Sequence, residues 1–178
     1  IALTITNCQN GSETDATKGD LLFAGATTAN VRIGGCIGCV ENIATGVSGF
    51  KNYGKVTFNG TSPTAYYGAG VVGYISPFDC DNLIDGCTNY GEISILTTVK
   101  KAIIAGIVGS QLAQTQKKVK ENGAEVTKVA TTGKLTISNC INNGKVHKNV
   151  VTASGSHVAG IVGTIDNTTI SSGYITNC

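Results

Sequence analysis

Methionine and tryptophan are absent from the 178 residues, proline occurs twice, and Arg32 is the only arginine. Charged residues make up 13%, about half of the ~25% usual in a globular domain, and the net charge is only +2. That balance excludes the clustered Lys/Arg surface of a nucleic-acid binder. The one basic cluster, Lys117, Lys118 and Lys120, lies beside Glu121 and Glu125 and reads as a solvated strand face. Long apolar runs are also missing; the longest, residues 102–109, is too short to span a bilayer, so no membrane span is expected. Apolar residues nowhere follow a helical period. Residues 1–5, IALTI, read as the middle of a strand rather than a signal peptide.

Glycine, by contrast, is abundant at 24 residues, and there are seven cysteines, an odd number that leaves one unpaired within the chain. That many cysteines in a chain of this length favours an extracellular or cell-surface location. The glycines and cysteines follow a repeat. Cys140-x-Asn142-x-Gly144 recurs as Cys87-x-Asn89-x-Gly91, with Phe for Cys as Phe50-x-Asn52-x-Gly54, and shortened as Cys8-x-Asn10-Gly11. A second mark, AGIVG at 159–163, recurs at 105–109, as AGVVG at 69–73 and as GGCIG at 34–38. The spacing is 37 residues from Phe50 to Cys87, 38 from Cys140 to Cys178, 42 from Cys8 to Phe50 and 53 from Cys87 to Cys140. The long interval holds an insertion. The chain therefore reads as one domain, 1–178, with repeats at 1–42, 43–79, 80–133 and 134–171 and a fifth beginning at 172–178.

Each unit is punctuated as strands. Residues 136–140 are rich in β-branched side chains, Asn142-Asn143-Gly144 supplies a tight corner, 145–152 is again strand-like, and 157–165 makes a third strand. Three short strands per unit, repeated, predict an all-β fold: a right-handed parallel β-helix (β-solenoid) of about four coils. In such a stack equivalent side chains form ladders. Asn10, Asn52, Asn89 and Asn142 are expected to form one structural ladder at the first corner, and Cys8, Cys87, Cys140 and Cys178 a core ladder of thiols. The glycines at 35, 70, 106 and 160, and at 38, 73, 109 and 163, mark a bend or a crowded facing layer. The insertion near 114–130 predicts a hairpin turning at Asn122-Gly123, either a partner-contacting arm or a tolerated surface insertion.

Units of the form I-x-N-C-x-N-x-G-x-V, a variable stretch, then A-G-I-V-G, resemble the GLUG-type repeats. Residues 137–146 with 158–163, and 84–93 with 104–109, carry the resemblance best; Gly11 directly after Asn10 and Phe50 in place of Cys depart from it. The resemblance implies a secreted or surface β-solenoid of adhesin-like kind, with no catalytic residue and no cofactor.

The remaining residues offer several candidate sites of chemistry. Cys39 and Cys80 both follow third strands and are the candidate disulfide. Cys36-x-x-Cys39 with Cys80 and Cys87 has metal-ligand types, but Cys36 replaces an aliphatic of a repeated core strand, so no metal site is assigned. Asp79, Asp81 and Asp85 form the densest acidic cluster, and a carbohydrate-active β-helix enzyme would use Asp81 with Asp85. A glycan-binding module would use a groove at Tyr66, Tyr67 or Tyr74. His147 and His157 fall in one repeat and read as surface residues. Asn59 and Asn167 head sequons suited to glycosylation, whereas the sequon at Asn10 conflicts with its ladder role. One face of the third strand, with Ile37, Val72, Val108 and Val162, threatens an exposed apolar stripe unless the glycines bend both faces inward. The expected function is an extracellular structural or adhesive solenoid, a segment of a longer surface protein or a subunit associating end to end with copies of itself or with other surface proteins. Glycans are a further expected partner.

Overall fold

A computed structural model describes residues 2–15, 17–61, 64–112, 114–149, 155–165 and 172–178. Among them every regular element is a β-strand, and no helix is long and apolar enough to cross a membrane. The first repeat supplies β1 (Ala2–Thr6), β2 (Gln9–Asn10), β3 (Leu21–Phe23), β4 (Val31–Gly34) and β5 (Ile37–Glu41). The second supplies β6 (Ala44–Ser48), β7 (Lys51–Asn52), β8 (Val56–Phe58), β9 (Tyr66–Ala69) and β10 (Val72–Ser76). The third supplies β11 (Asp81–Asp85), β12 (Thr88–Asn89), β13 (Ile93–Ile95), β14 (Ala102–Ala105) and β15 (Val108–Gln111). A hairpin follows, β16 (Gln116–Glu121) and β17 (Ala124–Val129). Then come β18 (Lys134–Ser138), β19 (Ile141–Asn142), β20 (Val146–Lys148), β21 (His157–Ala159), β22 (Val162–Ile165) and β23 (Ser172–Thr176).

Equivalent strands pair in parallel, giving sheets ordered β1-β6-β11-β18-β23, β2-β7-β12-β19, β3-β8-β13-β20, β4-β9-β14-β21 and β5-β10-β15-β22. Parallel strands in stacked sheets are compatible with a β-solenoid. The expectation of three strands per repeat needs correction, because each full repeat contributes one strand to each of five sheets. Two features of the sequence cut the longer strands. At the first corner the residue before each Cys or Phe is left-handed: Asn7, Gly49, Gly86, Asn139 and Asn177 have φ of 51°, 63°, 58°, 52° and 53°. Asn and Gly are the residues that tolerate this conformation. The second cut falls inside the AGIVG motif, where the chain doubles back between the fourth and fifth strands.

That doubling back places both parities of the motif inside. Val72 and Val108 are fully buried in one core cluster with Val71 and Ile107, and Ile37 and Val162 pack against it. Of the two readings of these positions, an exposed stripe or a bend that turns both faces inward, the burial fits the second. A Cβ on Gly70 would run into Asn89 Oδ1, and one on Gly106 into Asn142 and Gly160 O, so the turn approaches the corner asparagines closely. The apolar interior has two large clusters and a small third one of Ala65, Tyr67, Tyr74 and Ile103. One large cluster holds Val47, Phe50, Ile84, Cys87, Ile137 and Cys140 with the turn, and the other Val56, Phe58, Tyr66, Ile93, Ile95 and Ile104.

The hairpin pairs Gln116 with Val129 through Glu121 with Ala124 in antiparallel register. Asn122 and Gly123 have φ of 50° and 82°, the two left-handed residues of a type I′ turn. Its base is tied to the body by Asp79, whose Oδ1 accepts from Thr131 N (2.7 Å), Thr131 Oγ1 (3.1 Å) and Thr132 N (3.1 Å).

Candidate functional site

The feature that runs unbroken through the repeats is the corner at Asn10, Asn52, Asn89 and Asn142. These residues are register partners in the second sheet. Each Nδ2 donates to the Oδ1 of the next: Asn10 to Asn52 at 2.8 Å, Asn52 to Asn89 at 2.7 Å and Asn89 to Asn142 at 2.7 Å. The second N–H of each goes to a backbone carbonyl: Gly19 O for Asn10 (2.7 Å), then Gly54, Gly91 and Gly144 O at 2.9 Å. Asn52 and Asn89 are fully buried, and their amides are nonetheless satisfied, which offsets their desolvation. All the donors point the same way along the stack, so the ladder is polar and directional.

The neighbouring position holds the cysteines. Cys87 and Cys140 are buried and Cys8 and Cys178 exposed, and all are free thiols. Cys178 Sγ accepts from Cys140 N at 3.4 Å, Cys140 Sγ meets Ile84 O at 3.6 Å, and Cys87 Sγ meets Val47 O at 3.7 Å. The neighbouring Cys87 thiol, together with burial, raises the pKa of Cys140. Cys36 packs against the same cluster, and burial pushes its thiol up to about 11.

Cys39 and Cys80 are likewise free, so the candidate disulfide is not formed. The register explains why: Cys39 lies beside Tyr74, whereas Cys80 stands past Ser76, which already faces Glu41. Cys36 turns to the core while Cys39 lies on the outer side within 3.5 Å of Arg32 Nη1, which separates the first two members of the metal-type set.

The acidic cluster is likewise dispersed by its contacts. Asp81 and Asp85 sit four positions apart on β11, about 13 Å between Cα atoms at the strand rise. Asp85 Oδ1 accepts from Ser138 Oγ (2.7 Å) and Asn139 Nδ2 (2.8 Å), which holds its carboxyl below the usual range. Asp79 is held low by the Thr131 and Thr132 donors. Both carboxylates tie one repeat to the next.

Three groupings escaped sequence reasoning. His147 is not a plain surface residue: Nε2 lies 2.6 Å from Glu92 Oε1 and Nδ1 2.9 Å from Asn149 Oδ1. Both ring nitrogens are engaged, and the His147 hydrogen bond lowers the Glu92 pKa. Secondly, Arg32 lies over the Tyr74 ring at 4.2 Å and pairs with Glu41 at 3.0 Å. Tyr67 meets Tyr74 edge-on at 5.1 Å in a small cluster with Ala65 and Ile103. Of the candidate glycan-stacking rings, Tyr66 is fully buried and Tyr67 and Tyr74 are only 9% and 6% exposed, so none offers an open face. Thirdly, the exposed corner carries Tyr53 and Tyr90 stacked at 4.9 Å with parallel planes. Register counting from the AGIVG motif would have aligned Arg32 with Tyr67, Ile103 and His157.

Of the sequons, Asn59 is exposed at the end of β8. Asn10 spends both Nδ2 hydrogens on Gly19 and Asn52, leaving none to replace with a sugar. Asn167 lies outside the described residues. Among the described residues of the hairpin, Lys118 pairs with Glu125 at 2.6 Å and Lys128 with Glu121 at 2.5 Å.

Comparison with protein-family models, with curated proteins and with solved structures gives no match.

Proposed function

We propose that this repeat array is an extracellular structural or adhesive β-solenoid, wound as a right-handed parallel β-helix of about four coils and continued end to end by further repeat units. The observation that carries this reading is the asparagine ladder, in which each repeat hands an identical hydrogen bond to the next. A lattice that propagates this way has no internal reason to stop, and its outer edges remain competent to pair. The edge repeats expose apolar side chains whose register partners in the middle repeats are fully buried: Ile175 is 47% and Val158 40% exposed, against Ile137 and Ile104. Right-handed winding follows from the strong chirality of parallel crossovers. The likeness to GLUG-type repeats supports a surface location, and a glycan on Asn59 fits the same setting. The carboxylates at 79 and 85 hold repeats together, which favours a scaffold over a hydrolase.

Electron microscopy of native, unheated material tests the assembly. Continuous fibres with an axial repeat near the ~4.8 Å strand spacing are the expected result. Discrete capped particles at all concentrations would remove end-to-end continuation.

A further inference from the structure

The tyrosines that follow two of the ladder asparagines play no part in the function proposed above. Asn52 and Asn89 are register partners, and the backbone just beyond each is held to the preceding repeat: Tyr53 N donates to Asn10 O at 2.9 Å and Tyr90 N to Asn52 O at 2.7 Å. Equivalent residues in parallel register stand one strand spacing apart, about 4.8 Å. The rings keep that spacing, with centroids 4.9 Å apart and planes within 2° of parallel. One phenol is therefore close to a simple translation of the other, and each ortho carbon lies beside its counterpart. Gly11 and Asn143 take the same place after Asn10 and Asn142, so the stack holds two rings and no third.

Both rings reach solvent: Tyr90 is 44% exposed and Tyr53 half-buried. The other tyrosines fail on proximity or on access. Tyr67 and Tyr74 also meet, but they are buried and edge-on. Tyr66 is buried, and Tyr174 is exposed beneath Lys134 Nζ with no second ring beside it among the described residues. Tryptophan and methionine are absent from the chain, so no indole or thioether drains a tyrosyl radical. All seven cysteines are free, so no disulfide joins one repeat to another.

We propose that Tyr53 and Tyr90 are a dityrosine cross-linking site, which joins the second and third repeats covalently on exposure to a haem peroxidase and hydrogen peroxide. The peroxide takes one hydrogen atom from each phenolic O–H and leaves as two waters, giving two tyrosyl radicals. Their unpaired electrons, shared between the oxygen and the ortho carbons, pair to form one Cε–Cε bond. The hydrogen on each joined carbon then moves as a proton to the oxygen of its own ring, which restores both aromatic rings. The net loss is two hydrogens. Exposed side chains rotate within nanoseconds, so the stacked rings can swing edge to edge during the radicals' lifetime. Stacking favours this link over one between molecules, because neighbours held in place meet at an effective concentration far above that of the dissolved protein. The cross-link goes beyond the scaffold reading and uses its extracellular setting only as the source of peroxide; it requires neither fibres nor an adhesive ligand.

The test treats the intact chain, in dilute solution and with its accessible thiols alkylated, with a haem peroxidase and hydrogen peroxide. The expected product shows the blue fluorescence of dityrosine, runs as a monomer on a denaturing gel and is lighter by two hydrogens. Proteolysis should release one fragment joining the segments that carry Tyr53 and Tyr90. Tyr53→Phe and Tyr90→Phe keep a stacked ring and remove one phenol; each should abolish the fluorescence of the monomer, while Tyr174→Phe leaves it unchanged. Absence of dityrosine, a link confined to dimers, a link through Tyr174, or monomer fluorescence that survives Tyr53→Phe would overturn the proposal. Should a variant not fold, the fragment map of the unmodified chain decides. Cross-linking in discrete particles would sink the fibre and leave the site standing; fibres that form no such link would do the reverse.

Discussion

Replacing Asn89 by alanine tests the ladder at its most buried point. Asn89 is fully buried and makes three side-chain hydrogen bonds: it accepts from Asn52 Nδ2 at 2.7 Å and donates to Asn142 Oδ1 at 2.7 Å and Gly91 O at 2.9 Å. Each bond contributes about 1 kcal/mol net, and each partner left buried and unpaired costs about 1–3 kcal/mol. Asn52 Nδ2 keeps its bond to Gly54 O, so the full penalty falls on the two acceptors and one N–H. The loss works out at roughly 3–5 kcal/mol, a large share of the ~5–15 kcal/mol that a domain has. Asn10 sits at the half-buried end of the ladder with two such bonds, so Asn10→Ala should cost only about 1–2 kcal/mol. Urea denaturation followed by circular dichroism measures both. Asn89→Asp adds a sign: a buried carboxylate cannot donate to Asn142 or Gly91, and burial raises its folded pKa above the unfolded value. Its penalty is therefore greatest at neutral pH and shrinks as pH falls through that raised pKa. Equal losses for Asn10→Ala and Asn89→Ala, or a loss at Asn89 under about 1 kcal/mol, would refute the ladder as the source of cohesion.

Other expectations follow from single contacts. Gly106→Ala drives a Cβ into Asn142 and Gly160 O and should destabilise by about 3 kcal/mol or more, whereas Gly46→Ala, with open space, should be neutral or stabilising; thermal melts compare them. The carboxyls of Asp79 and Asp85 are held low, so their contribution is present above the unfolded carboxylate pKa of about 3.9 and lost as pH falls through the folded values. Tm measured down the acid limb should therefore fall less steeply in Asp79→Asn and Asp85→Asn; an unchanged slope contradicts the assignment. Iodoacetamide labelling mapped by mass spectrometry should modify exposed Cys8 in the native state and spare Cys87 and Cys140 until unfolding. Native labelling of Cys140 at the rate of Cys8 would show that the core ladder opens.

Local chemistry made much of the architecture readable in the chain itself. The recurrence of Asn10, Asn89 and Asn142 in Cys-x-Asn contexts and of Asn52 in Phe-x-Asn, and of paired glycines some twenty residues later, can be counted without coordinates because stacked repeats demand the same residue at the same corner. The Asn122-Gly123 hairpin follows from turn chemistry alone. The number of strands per repeat was not readable, since the left-handed corner is filled by Asn in some repeats and Gly in others, which hides its periodicity.

Tertiary structure decided which side of each strand is inside and which polar groups meet. The AGIVG segment is apolar on both parities, and only its turn against the asparagines buries Val72 and Val108 together. Arg32 finds Tyr74 and Glu41, and His147 finds Glu92, across separations of 42, 9 and 55 positions in the order named. The acidic cluster that looked like a site was divided among contacts to the next repeat. A repeat period determines which residues stack, because equal spacing puts equal side chains in register. It does not determine what lies across the core, because that depends on where each loop turns the chain back.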